Sequence, residues 1–359
     1  MENYSMLLPN YSIGKTVYDK IGQYCIRYGS SAVIIGGKTA LEKAEYIIKK
    51  HMCDAKITVT DTLWYGGEAS YENVDILMQT DAVKSADMIF AVGGGKAIDT
   101  CKCLADKLNK PIFTFPTISS NCAAITSVSI MYRPDGSFIE PYFFLRPPVH
   151  CFINTEIMVE APYKYLFAGL GDTMAKFYEC TISARGDHLE HYTEIGVAMS
   201  SMCAEPIIRN GEEAIKSNKN KMLSYAFEQA VLGVVASTGL VSIFLTRDHT
   251  PDYNSGLAHA IFYSLTEIPG LEEKHLHGEI VALGLLICLI VDEQYDEYIR
   301  LREFYKKVEL PTIPEDIDIS KEQFCSLINN MCDMSDIRHY PYKVTPQMIS
   351  DAVEILYDR

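Results

Sequence analysis

Four short apolar runs in the first third of the chain, each read as a strand, constrain the fold more than any other feature. Ala32-Val33-Ile34-Ile35 stops at Gly36-Gly37, and Lys56-Ile57-Thr58-Val59-Thr60 follows a helix-like stretch from Leu41 to His51. Met88-Ile89-Phe90-Ala91-Val92 stops at Gly93-Gly94-Gly95 ahead of a helix over 97–106. Pro111-Ile112-Phe113-Thr114-Phe115 stops at Pro116-Thr117. Apolar strands separated by helix-length segments are the pattern of βαβ units in a parallel sheet covered on both faces. Right-handed crossovers then bring the strand ends and their loops to one edge.

From about Glu160 the pattern turns helical. Pro162 can open a helix, and the spacing predicts one from Tyr163 to Ser183. Leu223 to Leu245 reads as a long apolar helix whose interior glycines imply close packing. Gly256 to Leu265 and Gly278 to Val291 flank the breaker Pro269-Gly270, and charged periodic stretches over 296–307 and 346–356 complete the helical half. The expected architecture is an α/β domain with a parallel sheet over residues 1–158 and an all-α domain over 159–359. Its default site is the cleft between them. Two domains also accord with roughly 150 residues per domain.

Composition excludes several classes. Lys plus Arg is 32 against 47 for Asp plus Glu, a net charge of -15, which disfavours nucleic acid as a partner. The longest apolar run, Ile280 to Val291, is far shorter than the roughly twenty residues of a membrane span. The eleven cysteines contain no C-x-x-C pair and no signal peptide opens the chain, so a reduced cytoplasmic protein is expected.

Gly94-Gly95-Lys96 follows an apolar strand and opens a helix, where backbone N–H groups can approach a pyrophosphate. The spacing is neither G-x-G-x-x-G nor the Walker pattern, and a plain tight turn is the alternative. Pro116-Thr117-Ile118-Ser119-Ser120 ends the next strand, so its hydroxyls belong beside the same pocket. Gly36-Gly37-Lys38 carries no acidic residue for the ribose hydroxyls of NAD until Glu42. Lys38 either faces a 2′-phosphate, as in NADP, or is a solvated loop lysine. In the helical half Asp172, His259 and His277 supply the donor types of a three-ligand Zn²⁺ or Fe²⁺ site. The alternative for Asp172 is an i,i+4 pair with Lys176.

In order, AVGGGKAIDT, FPTISS, LFAGLGDTMAKFYE, GLAHAI and HLHGEIVALG resemble the iron-containing alcohol dehydrogenase superfamily, its glycerol-dehydrogenase-like branch above all. The resemblance runs from about Tyr11 to Ile355. It implies a dehydroquinate synthase-like fold and an NAD(P)-linked oxidoreductase that interconverts a small alcohol and a carbonyl. By motif position it implies Asp172, His259 and His277 as metal ligands acting in catalysis, with His275 as a neighbour of the site. It also implies Gly94, Gly95, Lys96, Thr117, Ser120, Thr126, Val128 and Tyr132 as cofactor contacts, beside Gly36, Gly37 and Lys38.

Two departures set the details. Iron-dependent members have a histidine four residues after the aspartate, where this chain has Lys176, and the loss favours Zn²⁺ over Fe²⁺. Glycerol dehydrogenases have an aspartate that contacts the polyol in the loop where this chain reads Asn121-Cys122-Ala123-Ala124. Cys122 in the aspartate position removes a charge that would repel an anion, and the loop resembles hydroxycarboxylate dehydrogenases. The expected substrate, contacted by Asn121 and Cys122, is therefore a 2-hydroxy acid/2-oxo acid pair, with glycerol or another vicinal diol as the alternative. A dehydroquinate synthase-like lyase needs a basic phosphate pocket, for which only Lys164, Lys176 and Lys274 stand near the metal motifs. A non-catalytic nucleotide-binding protein is the remaining alternative. The expected partners are a small-molecule substrate and further copies of the chain, with no nucleic acid and no membrane.

Overall fold

The computed structural model describes residues 4–250 and 253–357. The chain packs as two compact units, Met1–Ala161 and Pro162–Arg359. In the first, the strands are β1 (Asn10–Gly14), β2 (Ser31–Gly36), β3 (Thr58–Trp64), β4 (Met88–Gly93), β5 (Ile112–Pro116), β6 (Val128–Tyr132), β7 (Phe138–Phe143) and β8 (His150–Asn154). Six of them form a parallel sheet in the order β1-β8-β5-β4-β2-β3 among the described residues. β6 and β7 make a separate antiparallel hairpin.

The apolar runs became the inner strands for the expected reason. Every residue of β4, β5 and β8 is buried, and β2 is buried from Ala32 onward. Phe90, Phe113, Phe115 and Phe152 pack together in the core on one side of the sheet. β3 starts two residues later than its apolar run and extends to Trp64, because Lys56 takes a left-handed turn at φ +57 after the preceding helix. The sequence reading passed over β1 and β8, which add two strands beyond β5.

Register sets the site. Gly36 pairs with Val92 and Gly93 pairs with Pro116, so the loops after β2, β4 and β5 emerge side by side from one sheet edge. The helices Lys38–Asp54 and Gly95–Leu108 begin there, with Gly37 and Gly94 as their N-caps.

The second unit is helical. A 21-residue helix, Tyr225–Leu245, is long and apolar enough by composition to cross a membrane, but 72% of its most apolar window is buried. It is a core helix of this unit, with a π-helical turn over Leu232–Ser237. Helix His277–Val291 is buried over nearly its whole length and packs against Tyr163–Ser183 and Leu257–Leu265.

Candidate functional site

In the second unit, three helices converge on Asp172, His259 and His277. Two of these helices touch backbone to backbone: a β-carbon on Gly171 would overlap the carbonyl oxygen of Gly278, and one on Gly278 would overlap that of Ala168. Gly284 makes the same kind of approach to the third helix, where a β-carbon would lie 2.7 Å from Ala258 O. Each glycine contact stands beside one candidate ligand, which explains how residues so far apart in sequence meet.

The donor atoms of Asp172, His259 and His277 all lie within 4.8 Å of one another. Asp172 Oδ1 is 3.5 Å from His259 Nε2 and 3.3 Å from His277 Nε2. These separations are long for hydrogen bonds. Both Asp172 separations match an edge of a tetrahedron with arms of about 2.1 Å, whose donors stand about 3.4 Å apart, a spacing that suits a zinc-sized divalent cation. His277 is 42% exposed at its side chain, so the cluster opens to solvent on that side. The aromatic edge of Phe262, 4.2 Å from His277 between ring centroids, walls the imidazole.

The electrostatics favour a cation here. Burial alone would raise the Asp172 carboxyl, yet the imidazoles of His259 and His277 hold it well below the usual carboxylate range. Burial alone would lower His259, but the carboxylates of Glu179 and Asp172 outweigh it and push it up to about 10. Two carboxylates thus bracket one buried imidazole and favour positive charge between them.

Glu179 is the residue that the sequence reading missed. It is fully buried, its Oε2 lies 2.6 Å from His259 Nδ1, and its Oε1 accepts the His259 backbone N–H at 3.0 Å. The signal was present: positions 172, 176 and 179 follow i, i+4, i+7 on one helix face. Between them, Lys176 is buried and turns its ammonium to the carbonyl of Asn254. His275 faces Glu279 at 3.2 Å and Asp318 at 3.5 Å and stands outside the cluster.

In the first unit, the glycine loop packs without room for side chains. A β-carbon on Gly94 would lie 2.5 Å from Ile118 Cδ1, and one on Gly95 would lie 2.6 Å from Asn121 Nδ2. Gly37 N donates to Val92 O at 3.3 Å and Thr117 N donates to Gly93 O at 3.1 Å, so three of the expected segments are tied together. Lys96 is engaged by Glu68 at 2.6 Å, and its ammonium also lies 5.4 Å from the centre of the Tyr132 ring. Lys38 sits 4.5 Å over the half-exposed indole of Trp64.

The remaining expected contacts are held by bonds within the unit. Thr126 is buried, and its hydroxyl accepts from the fully buried Lys102 at 3.1 Å and donates to Val128 O at 3.2 Å. Lys102 also pairs with Asp99 at 2.9 Å, and Asp99 Oδ2 accepts Ile130 N–H at 3.3 Å, so a buried ion pair anchors hairpin β6–β7 to the helix after the glycine loop. Ser120 lies next to Asn121, whose Oδ1 accepts from Ala123 N at 3.1 Å and holds the loop in a tight turn. Cys122 is half-buried in that turn, and its carbonyl accepts from Ile125 N at 3.0 Å.

Comparison with known proteins places these features in context. A family model described as iron-containing alcohol dehydrogenase matches residues 9–148. A glycerol dehydrogenase of Thermotoga maritima is 31% identical over 303 residues, covering 81% of this chain and 79% of that protein. Hydroxycarboxylate dehydrogenase A of Escherichia coli K12 is 29% identical over 331 residues, covering 90% and 88%. The crystal structure of a glycerol dehydrogenase from Schizosaccharomyces pombe superposes with a TM-score of 0.85 at 25% identity, covering 99% of this chain and 91% of that one.

Proposed function

The chain belongs to the iron-containing alcohol dehydrogenase family, and we propose that it is an NAD(P)-linked, metal-assisted enzyme that interconverts a 2-hydroxy acid and a 2-oxo acid. Its class, an oxidoreductase of the alcohol dehydrogenase type, follows from the family. The substrate, the residues and the metal are the proposal. Asp172, His259 and His277 would hold Zn²⁺ in preference to Fe²⁺, because Lys176 stands where a further histidine would complete an iron site. A cation held there would polarise the substrate oxygen, and a dinucleotide held at the Gly94-Gly95 loop would supply or accept the hydride.

The chain's own residues prepare that exchange. Gly94 and Gly95 stand half-buried at the N-terminus of helix Gly95–Leu108, the end that favours the negative charge of a pyrophosphate. The Lys102–Asp99 pair fixes the segment from Thr126 to Ile130, so that the cofactor meets a preformed wall. Lys38 carries a cation at the end of β2 and no carboxylate accompanies it in the Gly36-Gly37 turn, which suits NADPH as well as NADH.

Cys122 carries the choice of substrate. A neutral thiol there leaves the loop without a carboxylate, so an anionic oxo acid meets no like charge from that position. Glycerol is the second reading, supported by the relatives named glycerol dehydrogenases. An anaerobic screen separates them: 2-oxobutanoate and 2-oxoglutarate with NADH and NADPH, against glycerol with the oxidised cofactors, on protein of measured metal content. Turnover of oxo acids above glycerol supports the proposal, and glycerol oxidation alone overturns it.

A further inference from the structure

Glu179 touches His259 twice, and the chemistry of that double contact reaches beyond packing. Glu179 Oε1 accepts the His259 backbone N–H, and its Oε2 lies 2.6 Å from Nδ1, where a carboxylate, an acceptor at both oxygens, is met by Nδ1–H. With Nδ1 turned to Glu179, the ring presents Nε2 to Asp172, so Nε2 is the nitrogen left to a cation. The same carboxylate fixes the ring and the main chain of one residue, so His259 cannot turn about its side-chain torsions without losing a buried contact.

The surroundings keep the carboxylate in place. Gly256 lies against the stem of Glu179, where a β-carbon would come within 3.1 Å of its Cβ and Cγ. Tyr340 OH accepts Leu257 N–H at 2.9 Å and pins the start of helix Leu257–Leu265, two residues ahead of His259. The charge count points the same way. Asp172 and Glu179 together bring two carboxylates to a cluster whose other donors are imidazoles, a set whose charge matches a divalent cation without a fourth protein ligand.

We propose that Glu179 is the positioning residue of this metal site: it sets the tautomer and orientation of His259 and supplies the second negative charge that offsets a divalent cation. The inference rests on the reading of Asp172, His259 and His277 as metal ligands. Carboxylates bonded to the second nitrogen of a ligating histidine typically contribute tenfold to a hundredfold in metal affinity.

The test is Zn²⁺ affinity, measured by chelator competition on the full chain carrying Glu179→Gln, beside wild type and Asp172→Asn. Glutamine has one acceptor where the carboxylate has two, so its amide NH₂ must face one of the two donors on His259. Relief comes when the proton moves from Nδ1 to Nε2, which removes the lone pair that binds metal. The expected result is about a tenfold to hundredfold weaker Zn²⁺ affinity, with NADH affinity unchanged and a cooperative thermal transition retained. Glu179→Asp, which keeps the charge but falls short of both contacts, should give an intermediate affinity. If Zn²⁺ affinity in Glu179→Gln equals that of wild type while Asp172→Asn loses it, the positioning role is overturned. If wild type and Asp172→Asn bind Zn²⁺ alike, the metal-site reading itself fails. Should Glu179→Gln fail to fold, Glu179→Asp decides alone, and unchanged Zn²⁺ affinity in it overturns the proposal.

Discussion

Gly171 and Gly278 press backbone against backbone, and each stands directly beside a candidate ligand, Asp172 and His277. The approach of the two helices therefore sets the separation of those ligands. Gly278→Ala would force the helices apart, because its new methyl group overlaps the Ala168 carbonyl. We expect a stability loss of about 1–3 kcal/mol by chemical denaturation, as for other overpacked cores, together with reduced Zn²⁺ retention. Gly186→Ala is the control: it meets nothing within 4 Å, and although its φ of +88 costs stability, it should leave Zn²⁺ retention intact. Equal Zn²⁺ retention in the two variants would refute the geometric argument.

His259→Ala should abolish turnover, and it should do more than remove a ligand. Glu179 is fully buried and would lose both its ring partner and its charge compensation. Breaking a buried ionic contact from one side typically costs about 3–5 kcal/mol. Adding Glu179→Leu to His259→Ala should recover much of that stability without restoring activity. Denaturant titration of the single and double variants measures this, and no recovery would mean that the stranded Glu179 side chain is not the source of the cost.

The parallel sheet was legible because β2, β4 and β5 are buried on both faces and so read as unbroken apolar runs. β1, with the sequence NYSIG, lies at the sheet edge with no buried residue, and an edge strand needs no such run. The candidate trio was singled out through motifs, but the glycine contacts that bring Asp172, His259 and His277 together are not encoded by spacing. Glu179 lay in plain view two helical turns from Asp172, and only the fold shows that this face meets His259. Thr126 and Val128 are expected cofactor contacts, and what the sequence did not show is that Lys102 donates to Thr126 Oγ1 and Val128 O. A buried lysine paired i,i+3 with an aspartate leaves the same trace in sequence as a surface pair.

Stability should fall in mild acid, and His150 supplies one cause. It is buried on β8, contacts Ser12 Oγ at 2.9 Å and stacks on Tyr24, and burial holds its pKa down at about 4 with a smaller effect from Arg27. Because the folded value lies below the ordinary 6.5, the unfolded chain binds the proton first as pH falls. This contribution is thus fully present above about pH 6.5 and is lost as pH drops through about 4. Unfolding free energies measured between those limits should decline less steeply in His150→Phe than in wild type. Identical slopes would remove His150 as the cause.

Cofactor preference should depend on Lys38. Its ammonium rests on the Trp64 indole at the end of β2, where a dinucleotide's ribose is commonly read. Lys38→Ala should lower kcat/KM for NADPH by about tenfold, the scale of one charge-assisted phosphate contact, and leave NADH within about twofold. Equal losses with both cofactors would mean that Lys38 reads no 2′-phosphate.

Cys122→Asp should turn the substrate preference towards polyols. The half-buried thiol sits in a turn whose backbone is already closed by the Asn121 side chain and by the Cys122 carbonyl. Neither of these two bonds runs through the Cys122 side chain, so Asp at this position keeps both. Facing an anionic oxo acid at about 5 Å, a new negative charge costs about 3 kcal/mol at an effective dielectric of 20, and less where solvent enters. That predicts a loss of about tenfold to a hundredfold in kcat/KM for 2-oxobutanoate. A polyol carries no charge and gains a hydrogen-bond acceptor, so kcat/KM for glycerol should hold or rise. The ratio of the two kcat/KM values, measured in wild type and variant at one pH, isolates the charge from any general damage. A ratio that does not move would show that this position does not select the substrate.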